Sequence, residues 1–420
     1  MSEPYLTANL PGIGGRIKDQ PEDFRVEELP LYKVDGVGEH CWFTIEKNGI
    51  TTYQALNLLA KALGRRTVDF GYAGLKDARA IIRQQISIER EPSDRIRALT
   101  FANLRIVEVT RHRNKLKIGH LAGNRFRVRI RHEDWTKAGG SPDQALANAR
   151  AVVAILQRTG VPNFFGPQRF GMRKDNHLLG LALLRGQSQA FLDRWLGDPD
   201  PEVDHGQVLL ARRHYAGGRL DLAAAQWPGH LEQERRVLQM LARSPAQKDR
   251  AMHAVDLRLR RLLVCALQAY LFNEVLKRRL AQIANLLPGD LAWKHDNGAV
   301  FSVPSDPALL AAEQARCQAH EISPSGPMFG YRMSEPAGDA GEMEKVVLAA
   351  NALTPESFHH PLAEKVKGGR RAMRFFPSDL TVLRSVDDRG TFIELAFTLP
   401  PGSFATVLLA EIMKTDVAVD

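Results

Sequence analysis

The chain has 420 residues, a length that suits two or three domains, and its 44% hydrophobic and 25% charged residues exclude a disordered chain. No apolar run approaches the roughly 18 residues a membrane span requires, and the start, MSEPYLTANLPG, reads as neither a signal peptide nor a transit peptide. Lys and Arg exceed Asp and Glu by 57 − 48 = 9, which suits a polyanionic partner, while three scattered cysteines (Cys41, Cys265, Cys317) exclude a disulfide framework and a cysteine zinc site and suit a reducing cytoplasm.

Taken in chain order, PEDFRVEE at 21–28 alternates Phe24 and Val26 with charges, as a half-buried strand does. HCWFTIE at 40–46 is a second strand. Thr51 and Thr52 then cap an apolar periodic stretch, Ala55, Leu56, Leu58, Leu59 and Leu63, a helix stopped by Gly64. Residues 68–73 are extended and run into Gly74-Leu75-Lys76-Asp77. Strands are expected again at 85–88, 104–109, 115–118 and 126–130. This order predicts an α+β fold with a mixed, largely antiparallel sheet. A helix over 143–159 follows, and the chain to about 280 is mainly helical. In its strongest helix, 254–280, Leu259, Leu263, Leu267, Tyr270 and Leu271 share a stripe, with Arg258, Arg260 and Arg261 on the polar side. Residues 290–345 read as loop-rich, 361–371 end in a basic turn, strands return at 380–385 and 392–397, and 404–414 closes as a helix. Sheet, helices and sheet again suggest one domain inserted into another, because about 50 C-terminal residues make a poor independent core.

No HExxH, GxxxxGK[ST] or strand-to-helix GxGxxG is present, which points away from metals, nucleotides and redox cofactors. Two features point to RNA. NRFRVRIR at 124–131 sets Arg125, Arg127, Arg129 and Arg131 on one strand face, opposite Phe126, Val128 and Ile130. Four such cations need counter-charges, either phosphates or acidic neighbours. Arg111, His112, Arg113, Lys115 and Lys117 add a second basic run. GVPNFFGPQRFG at 160–171 could offer stacking faces beside Arg169, although a structural loop packing on its own domain is the preferred reading. Asp77 sits after a Gly-containing turn at a strand end, a common place for a catalytic group.

The blocks PEDFRVEE (21–28), AGLKDARA (73–80) with Gln84-Gln85, KLKIGHLAGNRFRVRIR (115–131), GVPNFFGPQRFG (160–171), QAYLFN (268–273), PSGPMFG (324–330) and LPPGSFATVLLAEIMK (399–414) resemble, in order, those of TruD-type tRNA pseudouridine synthases. The resemblance implies a discontinuous pseudouridine synthase catalytic domain over 1–155 and 372–420, with an inserted, mostly helical TRUD domain over 160–371. It implies isomerisation of uridine to pseudouridine in tRNA, at position 13 in the D arm, by base flipping and an aspartate-dependent mechanism. It implies no cofactor, no metal, no membrane and no obligatory protein partner. Asp77 falls on the catalytic aspartate, and Lys18, Phe24, Asn124, Phe126 and Phe404 fall on residues lining the uridine pocket. The Arg79 to Arg83 block departs by lacking the Thr often found before the Gln. A buried Asp77 calls for a cationic partner to stay ionised, and Lys76, its neighbour, would point the other way in a strand. The alternative is an RNA-binding or tRNA-folding protein with secondary or no catalysis. A methyltransferase or nuclease would need a nucleotide cradle or clustered carboxylates, which the sequence lacks.

Overall fold

The alternating segments of the early chain do pair, as the computed structural model shows for residues 3–76, 78–138, 140–360 and 366–415, the residues it describes. Asp77 lies outside them. The first strands are β1 (Phe24–Pro30), β2 (His40–Asn48), β3 (Phe70–Tyr72), β4 (Ile81–Glu89), β5 (Leu104–His112) and β6 (Leu121–Arg131). Helix α1 (Thr52–Leu63) lies between β2 and β3. Thr51 accepts from the Gln54 amide at its start, and Gly64, at φ +65°, ends it in the left-handed conformation. Helix α2 (Ser93–Arg97) is a short connector, and α3 (Pro142–Thr159) follows β6.

The chain then passes through β7 (Val161–Pro162) into a second unit, Pro162–Arg374. Short helices α4 (Asn176–Leu184), α5 (Ser188–Leu196), α6 (Gly206–Ala216), α7 (Leu220–Gln226), α8 (Glu232–Arg243) and α9 (Lys248–His253) precede α10 (Leu257–Arg279). In α10, Asp256 caps the N-terminus, and Arg258 and Arg261 are exposed while Leu263 to Leu276 are mostly buried. The expected loop-rich stretch 290–345 instead holds β8 (Leu291–Lys294), β9 (Val300–Ser302), α11 (Pro307–Gln318), β10 (Ile322–Met328) and α12 (Gly338–Ala350). Its proline-bearing motif is a strand because β10 changes partners midway. Ile322–Pro324 pair with β8, and Ser325–Met328 pair with β11 (Gly369–Ala372), so Pro324 and Pro327 each pair on one side only.

Through β12 (Arg374–Phe375) the chain returns to the first unit with β13 (Ser378–Asp387), β14 (Gly390–Leu399) and α13 (Ala405–Met413). The sheet order is β13-β14-β6-β1-β4-β2-β5, with β3 on β4. Strands β1 and β4 run parallel and the other pairs antiparallel, which is the α+β, largely antiparallel fold expected. Helices α3 and α13 bury Val152, Leu156, Leu408 and Ile412 with Val26, Val128, Ile130 and Leu395, while α1 covers Phe43, Ile45 and Ile86 at the other half of the sheet. The strand expected at 115–118 does not form. Leu116 is buried beside Trp42 and Ala73, and its amide donates to Ser87 Oγ at 2.9 Å rather than to a ladder.

Candidate active site

The register of β1 against β6 sets the site. Val26 lies opposite Phe126 and Glu28 opposite Asn124, so the alternation that buries Phe24 and Val26 carries Glu28 inward as well. Beside them, residues 74–76 are irregular and are held from two sides. The Gln84 side chain donates to the Gly74 carbonyl at 2.6 Å, and the Lys76 amide donates to Thr52 Oγ1 at 2.9 Å. Thr52 Oγ1 in turn donates to Gln84 Oε1 at 3.0 Å, and both side chains are buried. The loop that ends at Asp77 is thus anchored on α1 and β4.

This anchoring aims Lys76 inward. Its ammonium lies 3.1 Å from Glu28 Oε2 and donates to Asn124 Oδ1 at 2.5 Å. Glu28 also accepts from the Gln85 amide at 3.3 Å. Burial pushes the Glu28 carboxyl above its usual range, and Lys76 opposes that shift. A lysine ammonium can only donate, so the amide oxygen of Asn124 faces it and the amide nitrogen is the donor end turned elsewhere.

Two aromatic residues of the resemblance, Phe24 and Phe126, lie next to this group. Phe24 meets Phe126 edge-on, with ring centroids 6.1 Å apart, and Lys18 Nζ lies 4.8 Å from the centre of the Phe24 ring. Lys18 takes a left-handed backbone, φ +61°. Phe126 stacks on the buried Phe397 at 5.2 Å, a ring the sequence reading placed only in a strand. Phe404 is half-buried at the N-cap of α13, five residues beyond Leu399, which pairs with Asn124. From sequence, Thr52 is expected only as a helix cap and Gln84 only as part of a motif block, and Glu28 has no role of its own. The signal for Glu28 was available, because it continues the inward alternation Phe24, Val26.

The arginine stripe of β6 meets protein carboxylates. Arg125 is 3.3 Å from Glu27 and Arg127 is 3.6 Å from Glu394. Arg129 contacts Asp387 and Glu394, and Arg131 bridges Asp23 and Asp387 at 2.8 and 2.6 Å. The acidic-neighbour reading holds, and phosphates are not needed to relieve the repulsion. In the 111–117 run, His112 and Arg113 both reach Asp35. The 160–171 loop is structural in its first half. Phe164 and Phe165 are buried, Asn163 donates to the Ala372 carbonyl, and Asn273 grips both backbone groups of Phe165. In the basic turn, Arg370 pairs with buried Glu344. Among the described residues, no three His, Cys, Asp or Glu side chains form a metal-ready group, and no helix is long and apolar enough to cross a membrane.

A family model described as tRNA pseudouridine synthase D (TruD) matches residues 1–412. The tRNA pseudouridine synthase D of Geobacter metallireducens is 45% identical over 410 residues, covering 98% of this chain and 97% of that protein. The one from Anaeromyxobacter sp. strain Fw109-5 is 37% identical over 413 residues, covering 98% and 96%. A crystal structure of a Methanosarcina mazei TruD protein matches with a TM-score of 0.85 at 26% identity, covering 98% of this chain and 96% of that one.

Proposed function

The chain belongs to the TruD family of tRNA pseudouridine synthases, enzymes that isomerise uridine to pseudouridine in tRNA, and we propose that it acts at position 13 in the D arm, with Asp77 as its catalytic residue. The first unit is then the pseudouridine synthase catalytic domain and the second the inserted TRUD domain. Its place of work is the cytoplasm, in keeping with three free cysteines, two of them buried.

One observation carries the assignment. The segment that ends at Asp77 is fixed by Thr52 and Gln84, and the preceding residue, Lys76, is tied to Glu28 and Asn124. Few loops receive a buried ion pair and two buried side-chain anchors unless the residue they present must be held in place. The reaction breaks the N1–C1′ bond, turns the base and joins C5 to C1′. N1 gains a proton in the product and C5 loses one, so the change is an isomerisation and needs no co-substrate. The target base must leave its stack, at a cost of a few kcal/mol. Phe24, Phe126 and Phe404 are the apolar surfaces that offset it, stacking being worth about 1–3 kcal/mol per base. The Asn124 amide nitrogen donates to an oxygen of the uracil or ribose. Asp77 works as the ionised carboxylate, and Lys18, held over Phe24, brings positive charge to the aromatic end of the pocket.

The test is to incubate the protein with an unmodified tRNA transcript and map pseudouridine by carbodiimide-dependent primer-extension stops. A single stop reporting position 13, absent when cytidine replaces uridine there, is expected. A stop elsewhere in the transcript overturns the positional assignment.

A further inference from the structure

A second surface of the first unit has the composition of a nucleotide site and no role in the reaction described so far. It is a cleft of about 560 Å³ walled by Tyr53 of α1, Thr67–Val68, β3 with Tyr72, and the 115–118 loop with Lys115, Lys117 and Ile118. Three of its large side chains are strongly exposed for their type: Tyr53 56%, Val68 68% and Ile118 76%. Scattered exposed apolar residues need no explanation, but several around one concavity mark a binding surface. No lining residue is acidic, and the nearest carboxylate in sequence, Asp69, is taken by Arg66 at 3.2 Å. Lys115 reaches the Val68 carbonyl at 3.1 Å, and Lys117 is exposed at the rim.

The floor of this cleft is built rather than accidental. A side chain at Gly71 would meet the Leu116 carbonyl at 2.3 Å, so a glycine is what lets the 115–118 loop lie against β3. The Gly119 amide donates to the Ala73 carbonyl at 2.8 Å, tying the end of that loop to the segment that leads to Asp77. Tyr72 lines the cleft with Tyr53 and is five residues from Asp77, at most about 18 Å along an extended chain.

An aromatic wall with apolar edges, two cations and no carboxylate is the chemistry that receives an unpaired base with its phosphate. We infer that the Tyr53–Tyr72–Lys117 cleft binds one unpaired nucleotide of the tRNA substrate close to the target uridine, so that this nucleotide is stacked on Tyr53 while Lys115 and Lys117 meet its phosphate. The inference rests on the reading of Asp77 as the residue that marks where the target uridine docks. It gives the 111–117 basic run a task in its last two lysines, where His112 and Arg113 are engaged by Asp35.

The experiment uses the full chain and tRNA labelled with 5-tritiated uridine, under single-turnover conditions with enzyme in excess. For Tyr53→Ala the half-saturating enzyme concentration should rise about 5- to 100-fold, the range that loss of one stacked base gives. The loss should fall on that concentration and not on the rate at saturating enzyme. Tyr53→Phe, which keeps the ring, should lose less than about threefold. For Lys117→Ala, the plot of log affinity against log salt should become shallower by about 0.7 to 0.9. Tyr53 and Lys117 are exposed, so thermal melting like that of the wild type is expected and confirms folding. Wild-type half-saturation for Tyr53→Ala with an unchanged salt slope for Lys117→Ala overturns the inference, and is also what a protein-docking surface would give. Failure of the Asp77 reading looks different: an Asp77→Asn variant that still releases tritium, whatever the Tyr53 variants do.

Discussion

Two cation–carboxylate groups lie on opposite faces of β6 and behave in opposite ways. On the inner face, Lys76 meets Glu28 and Asn124 away from solvent, and burial drives the Glu28 carboxyl up. On the outer face, Arg125 to Arg131 spread over Glu27, Glu394, Asp387 and Asp23, and the arginines hold the half-buried Asp387 down to about 2. The outer group is conspicuous in the sequence as an RNA-like stripe, yet it neutralises itself. The inner one is a single Glu and a single Lys far apart in sequence, and it supports the site. Charge density along a strand is therefore a poor guide to function here. What distinguishes the inner group is a desolvated carboxyl held by one cation, whereas the equally buried Asp23 of the outer group is met by both Arg131 and Arg389 and is held down, a difference that a list of charges does not reveal.

Substitutions separate the two faces of β6. The largest effect is expected for Lys76→Met, which leaves a buried carboxyl unpaired. It should cost about 3–5 kcal/mol in urea unfolding, with most of the loss recovered in the Lys76→Met/Glu28→Leu double variant. A loss no larger than that of an outer-face variant would erase the distinction. Next comes Asn124→Ala. On the proposed role it should lower kcat/KM for tRNA about 10- to 100-fold, with a loss in urea unfolding of about 1–3 kcal/mol, smaller than that of Lys76→Met, because one acceptor of the Lys76 ammonium goes as well.

The pH dependence separates the two faces by sign. Asp387 is depressed in the folded state, so its contribution is present above its unfolded value of about 3.9 and is lost as pH falls towards 2. Glu28 is raised, so its contribution is present below its unfolded value of about 4.3 and is lost as pH rises through the folded one. Urea midpoints between pH 3 and pH 7 should fall less steeply on acidification for Asp387→Asn. For Glu28→Gln the opposite slope should disappear. Equal slopes for both variants would contradict the opposite shifts of the two carboxyls. The smallest effect is expected for Arg127→Ala, whose pair with Glu394 is long and whose own side chain is 60% exposed. Stability should change by no more than about 0.5 kcal/mol and tRNA affinity by less than about twofold. A tenfold loss of affinity would restore the stripe as an RNA contact.

Much of the scaffold was legible because its signals are local. The Thr51 cap with Gly64 fixes α1, and the alternation of 24–28 and 124–130 fixes β1 and β6. The Asp77, Phe24, Asn124 and Phe126 assignments came from motif likeness, not from periodicity. Two kinds of feature stayed hidden. The first is a strand whose prolines are tolerated because its partner changes midway, as in β10, and a would-be strand, 115–118, whose amide goes to a serine. Both depend on partners distant in sequence. The second is the role of Glu28, Thr52 and Gln84, which exists only once three separate elements converge on residues 74–76.

On the proposed function, this inner-face group serves one carboxylate, that of Asp77. Its most direct test is tritium release from 5-tritiated uridine tRNA by wild type and by Asp77→Asn, with tRNA binding and urea unfolding measured on the same preparations. Release by wild type is expected, with a loss of at least about a thousandfold in the variant and with binding and stability retained. Release by Asp77→Asn within about tenfold of wild type would contradict it.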